Sequence, residues 1–142
     1  MYQRIAHITL LVDNYDDAID FYTLKLDFQL LEDSRISDEK RWVMVAPKGA
    51  KECSLLLAKA ANNQQKSMVG NQSGGRVFLF LFTYDFWRDY EKLKSREISF
   101  VRPPQETDYG TVAGFEDLYG NSWDLIEPNV KNKGLSSTDK LR

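Results

Sequence analysis

Two similar stretches of sequence decide the fold: residues 7–25, HITLLVDNYDDAIDFYTLK, and residues 76–94, RVFLFLFTYDFWRDYEKLK. When one is displaced by 69 positions onto the other, they share six like pairs, in which Tyr15 meets Tyr84 and Lys25 meets Lys94. Self-similarity at a fixed separation is typical of a repeated structural unit. The sequence therefore predicts two copies of one unit in tandem.

Each copy begins with an apolar run and continues into an amphipathic segment. Residues 5–12 and 77–82 are rich in β-branched or aromatic side chains, which favour a buried strand. The segments after them have apolar residues at helical spacing and an Asp or Asn placed to cap a helix. Three short apolar runs then follow in each copy, at 28–32, 41–45 and 54–58 and at 98–101, 111–115 and 122–126. The predicted fold class is α+β, with two βαβββ modules in tandem.

The modules occupy most of the chain. We expect a single domain over residues 4–128, with module one at about 4–58 and module two at about 76–128. Residues 59–75 are polar and contain glycine without a sustained period, so they are predicted to be a linker. The polar tail at 129–142 has little to bury and is expected to be mobile unless a partner chain holds it.

Composition excludes several classes of partner. The 142 residues are 42% apolar and 28% charged, as in a globular protein, and the net charge of −2 gives no electrostatic footprint for nucleic acid. No window approaches the roughly 18 apolar residues of a membrane span, and the first residues lack the pattern of a signal peptide. The single cysteine, Cys53, agrees with a reducing compartment. We expect a cytoplasmic protein without nucleic-acid or membrane partners.

Two phrases carry a family resemblance. The opening IAHITLLVDNYDDAIDFYTLKLDFQLLED (residues 5–33) and the closing TVAGFEDLYGNSWDLIEP (residues 111–128) resemble the glyoxalase / bleomycin-resistance / extradiol-dioxygenase group, the vicinal oxygen chelate (VOC) superfamily. The resemblance implies a partly closed cup that encloses one small-molecule site, often with a divalent metal, and a homodimer. Whether the cup closes within one chain or across a dimer stays open.

The metal site implied by the resemblance is incomplete. Its four ligand positions fall on His7, Leu56, Arg76 and Asp124, but leucine has no donor and the arginine guanidinium is a permanent cation. The chain has one histidine, so a two-histidine, one-carboxylate site is excluded even if identical subunits exchange halves. We therefore expect no metal and no other cofactor. A metal site of another kind stays open through three further carboxylates, those of Glu32, Glu116 and Asp117.

A hypothesis for the centre of the cup follows. We expect Arg76 and Asp124 to form an ion pair in place of the metal, because a buried arginine needs an acceptor. The alternative leaves Arg76 at the sheet edge with its head in water. Strand alternation puts Phe78, Phe80 and Phe82 on the same face as Arg76. Such an aromatic wall suits a flat organic ligand with an acidic group, although these rings are also suited to filling a core.

Three functions compete. The first is a small-molecule binder without a catalytic metal, in which Leu56 and Tyr109 join the predicted ligand-binding residues and Trp42 only packs. The second is a lyase, isomerase or dioxygenase of the same superfamily, with His7 and Asp124 as catalytic residues and an unconventional metal site. The third is an interaction module whose cup is filled by its own side chains.

Overall fold

Each sequence copy forms its own four-stranded sheet. A computed structural model, in which residues 1–50 and 52–129 are described, divides the chain into Met1–Gln72 (unit 1) and Ser73–Arg142 (unit 2). Both units have the predicted βαβββ order, so the α+β fold class is confirmed. The predicted tail lies, from residue 130 onward, outside the described residues. No helix in the described part of the chain is long and apolar enough to cross a bilayer.

Unit 1 begins with β1 (His7–Val12), α1 (Tyr15–Asp20) and a π-helical turn, Phe21–Lys25. Asn14 caps α1 by accepting a hydrogen bond from the backbone N–H of Asp17 at 2.9 Å. Three strands follow, β2 (Phe28–Arg35), β3 (Arg41–Pro47) and β4 (Ser54–Lys59). The sheet order is β1-β4-β3-β2, in which β1 and β4 are parallel and the other pairs are antiparallel.

Strand alternation gives the sheet of unit 1 two different faces. One face packs on α1 and contains the core of the unit, where Leu10, Val43 and Leu57 are fully buried. The face opposite α1 carries the intervening side chains, and the register places Thr9, Leu56 and Met44 in one row across it. These side chains are therefore available to form a site.

The predicted linker, residues 59–75, contains a short helix, α2 (Asn63–Met68), which the sequence pattern did not indicate. The side chain of Asn62 caps α2, and the helix packs against β1. The side chain of Gln72 then accepts the backbone N–H of Leu11 at 3.2 Å, on an edge strand whose outer groups would otherwise lack a strand partner. Six residues span less than two helical turns, which is too short to produce a recognisable apolar period.

Unit 2 consists of β5 (Leu79–Phe82), α3 (Phe86–Ser95), β6 (Ser99–Thr107), β7 (Gly110–Glu116) and β8 (Ser122–Pro128), with sheet order β5-β8-β7-β6. Trp123 is buried and stacks on Phe115 at 5.7 Å in the core of the unit. β6 runs six residues beyond its predicted end at residue 101, through two prolines. It is an edge strand, where a missing N–H is tolerated.

The structural repeat differs in register from the sequence match. The helix caps Asn14 and Asp85 are 71 residues apart, whereas the sequence match used 69. The positive-φ residues after the helices, Asp27 and Glu97, are 70 apart, because the π-helical turn adds one residue to the first copy. The sequence match aligned identical Tyr and Asp residues and did not align the two helix caps. In the structural register the counterpart of His7 is therefore Phe78, not Arg76.

Candidate functional site

A cavity of about 720 Å³ lies in unit 1. Its floor is formed by the face opposite α1, with side chains from three neighbouring strands: Leu11 from β1, Leu56 and Ala58 from β4, and Trp42 from β3. The connection from β2 to β3 forms one side, and the segment that leads into α2 forms another. The cavity therefore has an apolar floor and polar walls. We call it the unit 1 cavity.

Trp42 is positioned differently from the prediction. It was expected only to pack, but it is half-buried on the cavity floor, and its ring meets His7 edge-on at 6.0 Å. The next residue, Val43, lies on the opposite face of the same strand and is fully buried in the core. An aromatic residue on such a strand packs in the core or lines a cavity, depending on the sheet face that it occupies. The short apolar run 41–45 did not indicate which face Trp42 would occupy.

Arg41 holds the rim of the cavity in place. Its guanidinium donates to both carboxylate oxygens of Asp33, at 3.1 and 2.6 Å, and to Asp16 at 2.9 Å. The hydrogen bonds that it donates to Asp33 first, and then to Asp16, raise the pKa of Arg41 above its ordinary value. The guanidinium also lies 5.1 Å from the centre of the Tyr15 ring. Arg41 is therefore held in the wall by two ion pairs, which offset its charge.

The remaining charges on the lining are mostly positive. Lys40, Lys59 and Lys66 line the cavity, against a single carboxylate, Glu39. Within residues 1–50 and 52–129, none of these three lysines forms an ion pair. Positive groups around an apolar floor raise the local concentration of anions and favour an anionic ligand.

His7 and Leu56 lie on the same face of unit 1, at different distances from the cavity. Leu56 is part of the floor. His7 is exposed and outside the lining, and its Nδ1 is 2.8 Å from the hydroxyl of buried Ser54. The structure thus places one predicted ligand-binding residue in the cavity and gives the predicted catalytic histidine a hydroxyl partner on the neighbouring strand.

The predicted ion pair between Arg76 and Asp124 was wrong. Asp124 is buried on β8 and pairs with Arg102 of β6. Arg76 lies in an exposed bend before β5 begins, which matches the alternative of an arginine with its head in water. The physical reason is that β5 starts three residues after Arg76, so strand alternation does not extend to it.

A glycine explains how Arg102 reaches Asp124. The register aligns Phe80, Asp124, Gly114 and Arg102 in one row across four strands. A Cβ atom on Gly114 would lie 2.3 Å from Cζ of Arg102, so the guanidinium occupies the space that any other residue would fill. Sequence reasoning missed Arg102, because its strand was predicted to end at Val101. The available signal was a glycine inside a strand, which often marks a close approach.

The other predicted residues of unit 2 are spread over its sheet. Phe80 and Phe82 are 57% and 41% exposed, while Phe78 is half-buried and precedes β5. Tyr109 lies in the turn between β6 and β7, where its carbonyl accepts from the backbone N–H of Asn129 beyond the end of β8. Since β5 and β8 are parallel, Arg76 and Tyr109 lie at opposite ends of this sheet. The structure does not bring these two together.

The residues at the implied metal positions do not fit a divalent ion. Corrected for register, the positions are His7 and Leu56 in unit 1 and Phe78 and Asp124 in unit 2, and two of the four side chains have no donor atom. Of the two that have donors, Asp124 is paired with Arg102, and His7 alone does not supply the three or more ligands of a divalent site. Among the described residues, no group of three or more His, Cys, Asp or Glu side chains could hold a metal ion.

Comparison with known proteins gives a consistent set of similarities. A family model described as the Glyoxalase/Bleomycin resistance protein/Dioxygenase superfamily matches residues 4–125. An uncharacterized protein of Shewanella frigidimarina (strain NCIMB 400) is 59% identical over 132 residues, which cover 92% of this chain and 98% of that one.

Two solved structures are similar over nearly their whole length. UcmS2 has a TM-score of 0.79 and 30% identity, covering 89% of this chain and 99% of its own. TnmS3, described as an antibiotic binding protein from Streptomyces sp. CB03234, has a TM-score of 0.73 and 30% identity, covering 90% of this chain and 98% of its own.

Proposed function

This chain belongs to the Glyoxalase/Bleomycin resistance protein/Dioxygenase superfamily, and from that membership we propose that it binds a small organic anion with a flat apolar body, without a catalytic metal. The single observation that carries the proposal is the unit 1 cavity, with its apolar floor and its excess of lysines. The ligand's apolar body would lie on Leu56 and Trp42, and its acidic group would face the lysines.

The size of the cavity supports a small-molecule ligand. Sites for small molecules have volumes of roughly 300–1,000 Å³, and the cavity of about 720 Å³ falls within that range. A flat ligand would gain contact with the Trp42 ring and with Leu11 and Leu56 on the neighbouring strands. The same volume speaks against an interaction module whose site is filled by its own side chains.

The chemistry of the walls supports an anion. Lys40, Lys59 and Lys66 are exposed at the lining, and a bound carboxylate, sulfonate or phenolate would accept hydrogen bonds from their ammonium groups. The charge of Arg41, in contrast, is offset by its ion pairs with Asp33 and Asp16, which hold the wall in shape. Selectivity for an anion would therefore come from the lysines.

Binding is favoured over catalysis by the state of the predicted catalytic residues. His7 and Asp124 both lie outside the lining of the unit 1 cavity, and Asp124 is paired with Arg102. The donor set at the implied metal positions is also incomplete. TnmS3, similar to this chain in fold and 30% identical, is described as an antibiotic binding protein, which supports a binding role here.

The test is calorimetric titration of the full chain with 8-anilinonaphthalene-1-sulfonate, a flat aromatic anion. Leu56→Asp places a carboxylate on the cavity floor and should weaken binding by about tenfold or more, because apolar contact is lost and like charge is added. The matched control is Leu24→Asp, which changes an exposed leucine outside the lining and should leave the affinity within about twofold.

The two variants separate the cavity from the general surface. Circular dichroism of each variant verifies that the fold is kept. Equal affinities of the wild type and a folded Leu56→Asp variant would refute the unit 1 cavity as the binding site. Equal losses in Leu56→Asp and Leu24→Asp would do the same, since they would indicate binding that follows surface charge alone.

A further inference from the structure

We propose that Lys66 is the residue that gives the unit 1 cavity its preference for an anion, and that Gln72 is the positioning residue that holds Lys66 in place. The proposal rests on the proposed function, because it names which of the three lysines selects the ligand. It also gives the ligand an orientation, with its acidic group beside α2 and its apolar body on the strands.

Two of the three lysines are poorly placed to select an anion. Lys40 lies in the connection from β2 to β3 next to Glu39, whose carboxylate lines the cavity on the same side. Lys59 follows the floor residue Ala58 on β4, so strand alternation directs its side chain away from the floor. An anion at either position would meet a carboxylate or a lysine that is turned from the floor.

Lys66 is in different electrostatic surroundings. It belongs to α2, and the segment from residue 61 to residue 72 contains no Asp or Glu and no other charged side chain. Its neighbour on the helix, Gln65, also lines the cavity. A cation without a carboxylate on its own segment keeps more of its attraction for a bound anion. The acidic group of a ligand is therefore bound most favourably on the α2 side of the cavity.

The position of α2 depends on polar contacts. None of its six residues is buried, so apolar packing contributes little to holding the helix in place. At its start, the side chain of Asn62 accepts the backbone N–H of Gln65 at 2.9 Å, and the side chain of Gln65 accepts the backbone N–H of Ala61 at 2.8 Å. These reciprocal bonds stabilise the first turn of the helix. They do not join the helix to the sheet.

Gln72 joins the end of α2 to the floor of the cavity. Its Nε2 donates to the carbonyl of Met68, the last residue of α2, at 2.7 Å. Its Oε1 accepts the backbone N–H of Leu11 at 3.2 Å, and the side chain of Leu11 forms part of the floor. Gly70, with a φ of +80°, provides the turn between Met68 and Gln72. One side chain thus connects the helix that carries Lys66 to the strand beneath the ligand.

This connection has a consequence for binding. A cation on a mobile segment must be ordered when the ligand binds, and the ordering costs affinity. Gln72 orders the segment before the ligand arrives, although it lies outside the lining of the cavity. Its loss should therefore weaken the attraction of Lys66 for the acidic group and leave the apolar contacts on the strands in place.

The test compares 8-anilinonaphthalene-1-sulfonate with N-phenyl-1-naphthylamine, which has the same rings and lacks the sulfonate. The preference is the ratio of their dissociation constants, measured by fluorescence titration of the full chain. The wild type should prefer the sulfonate, and Lys66→Gln should lower that preference by about three- to fivefold. Lys92→Gln, at an exposed lysine on α3, is the control for net charge and should leave the preference unchanged.

The positioning role is tested by a double-mutant cycle. Gln72→Met keeps the length of the side chain but loses both hydrogen bonds, and it should lower the preference by about two- to threefold. In a Lys66→Gln background the same change should have no further effect on the preference. Gln64→Met, on the exposed surface of α2 and outside the lining, is the matched control and should behave as the wild type. Circular dichroism verifies the fold of each variant.

Two results would overturn the proposal. An unchanged preference in Lys66→Gln would show that this lysine does not select the anion. An equal loss from Gln72→Met with and without Lys66 would show that Gln72 acts independently of Lys66, as a structural residue does.

Hydrogen exchange measures the positioning role without any ligand. In the ¹⁵N-labelled full chain, the amide of Leu11 should exchange severalfold faster in Gln72→Met than in the wild type or in Gln64→Met. An unchanged exchange rate in Gln72→Met would contradict the positioning role. Failure of the proposed function would be seen separately, as wild-type affinity of Leu56→Asp for the sulfonate. Failure of the present proposal alone would be seen as an unchanged preference in Lys66→Gln while Leu56→Asp still weakens binding.

Discussion

At the scale of single residues, the lack of a side chain at Gly114 allows Arg102 to form an ion pair with Asp124. The buried carboxylate needs a cationic partner, and Arg102 reaches it only across a position without a side chain. The obstacle to substitution is the far end of a flexible arginine, so an added methyl group would displace the guanidinium rather than distort the backbone. The cost of the substitution is therefore the cost of losing the ion pair.

We predict that Gly114→Ala lowers the free energy of unfolding by about 1–2 kcal/mol, because it leaves the Asp124 carboxylate without its partner. In an Arg102→Ala background the same change should be neutral or slightly stabilising, since alanine suits a strand better than glycine does. Urea denaturation of the four proteins gives the double-mutant cycle. An identical cost of Gly114→Ala in both backgrounds would show that Arg102 is not what the glycine accommodates.

The candidate sites were only partly predictable at this scale. Trp123 and Asp124 are consecutive residues of β8 and both are buried, on opposite faces of the sheet. The partner of Asp124 was missed, because Arg102 lies beyond the predicted end of β6 and meets Asp124 through sheet pairing. Lys66 was missed for a related reason: it belongs to a helix too short to produce a periodic pattern.

At the scale of elements, local signals determined the order of strands and helices. Caps at Asn14 and Asp85 and the apolar runs predicted both βαβββ units. Strand ends were less predictable, because pairing with a neighbour extends a strand past its apolar run, as β6 shows. The turn into β7 depends on Gly110, whose φ of +150° and tight surroundings exclude a side chain.

Gly110→Ala is predicted to destabilise the protein by more than about 2 kcal/mol, because its Cβ would lie 2.3 Å from the backbone oxygen of Glu127, which has no freedom to move aside. Gly49→Ala is the control. It also has positive φ, +78°, but nothing lies within 4 Å of the added atom, so only the conformational cost of about 1 kcal/mol applies. Thermal and urea denaturation measure both, and equal losses would count against the steric explanation.

At the scale of the whole molecule, the chain keeps the fold of its superfamily, while two of its four implied metal positions lack donors. Leu56 and Phe78 have no ligand atoms, and the remaining two residues have protein partners. The family resemblance correctly predicted the fold, and the family model matches nearly the whole of both units, over residues 4–125. The ligand-binding residues named from it stay predictions. The cytoplasmic location and the homodimer stay predictions.

We predict that the full chain purified without chelator contains far less than one equivalent of iron, zinc, nickel or manganese. The reason is the lack of a third ligand at any of the implied positions. Elemental analysis measures this, and titration of added Zn²⁺ should leave the melting temperature unchanged. A stoichiometric metal that is removed by chelator, with a loss of stability, would favour the enzyme alternative.

The central claim is that the unit 1 cavity holds a small organic anion, and an NMR titration tests it most directly. With 8-anilinonaphthalene-1-sulfonate added to the ¹⁵N-labelled full chain, the amides of Leu11 and Ala58 and the indole N–H of Trp42 should shift together and saturate. The amide of Leu24, outside the lining, should stay fixed. Saturable binding that leaves the Trp42, Leu11 and Ala58 resonances unmoved would contradict the claim.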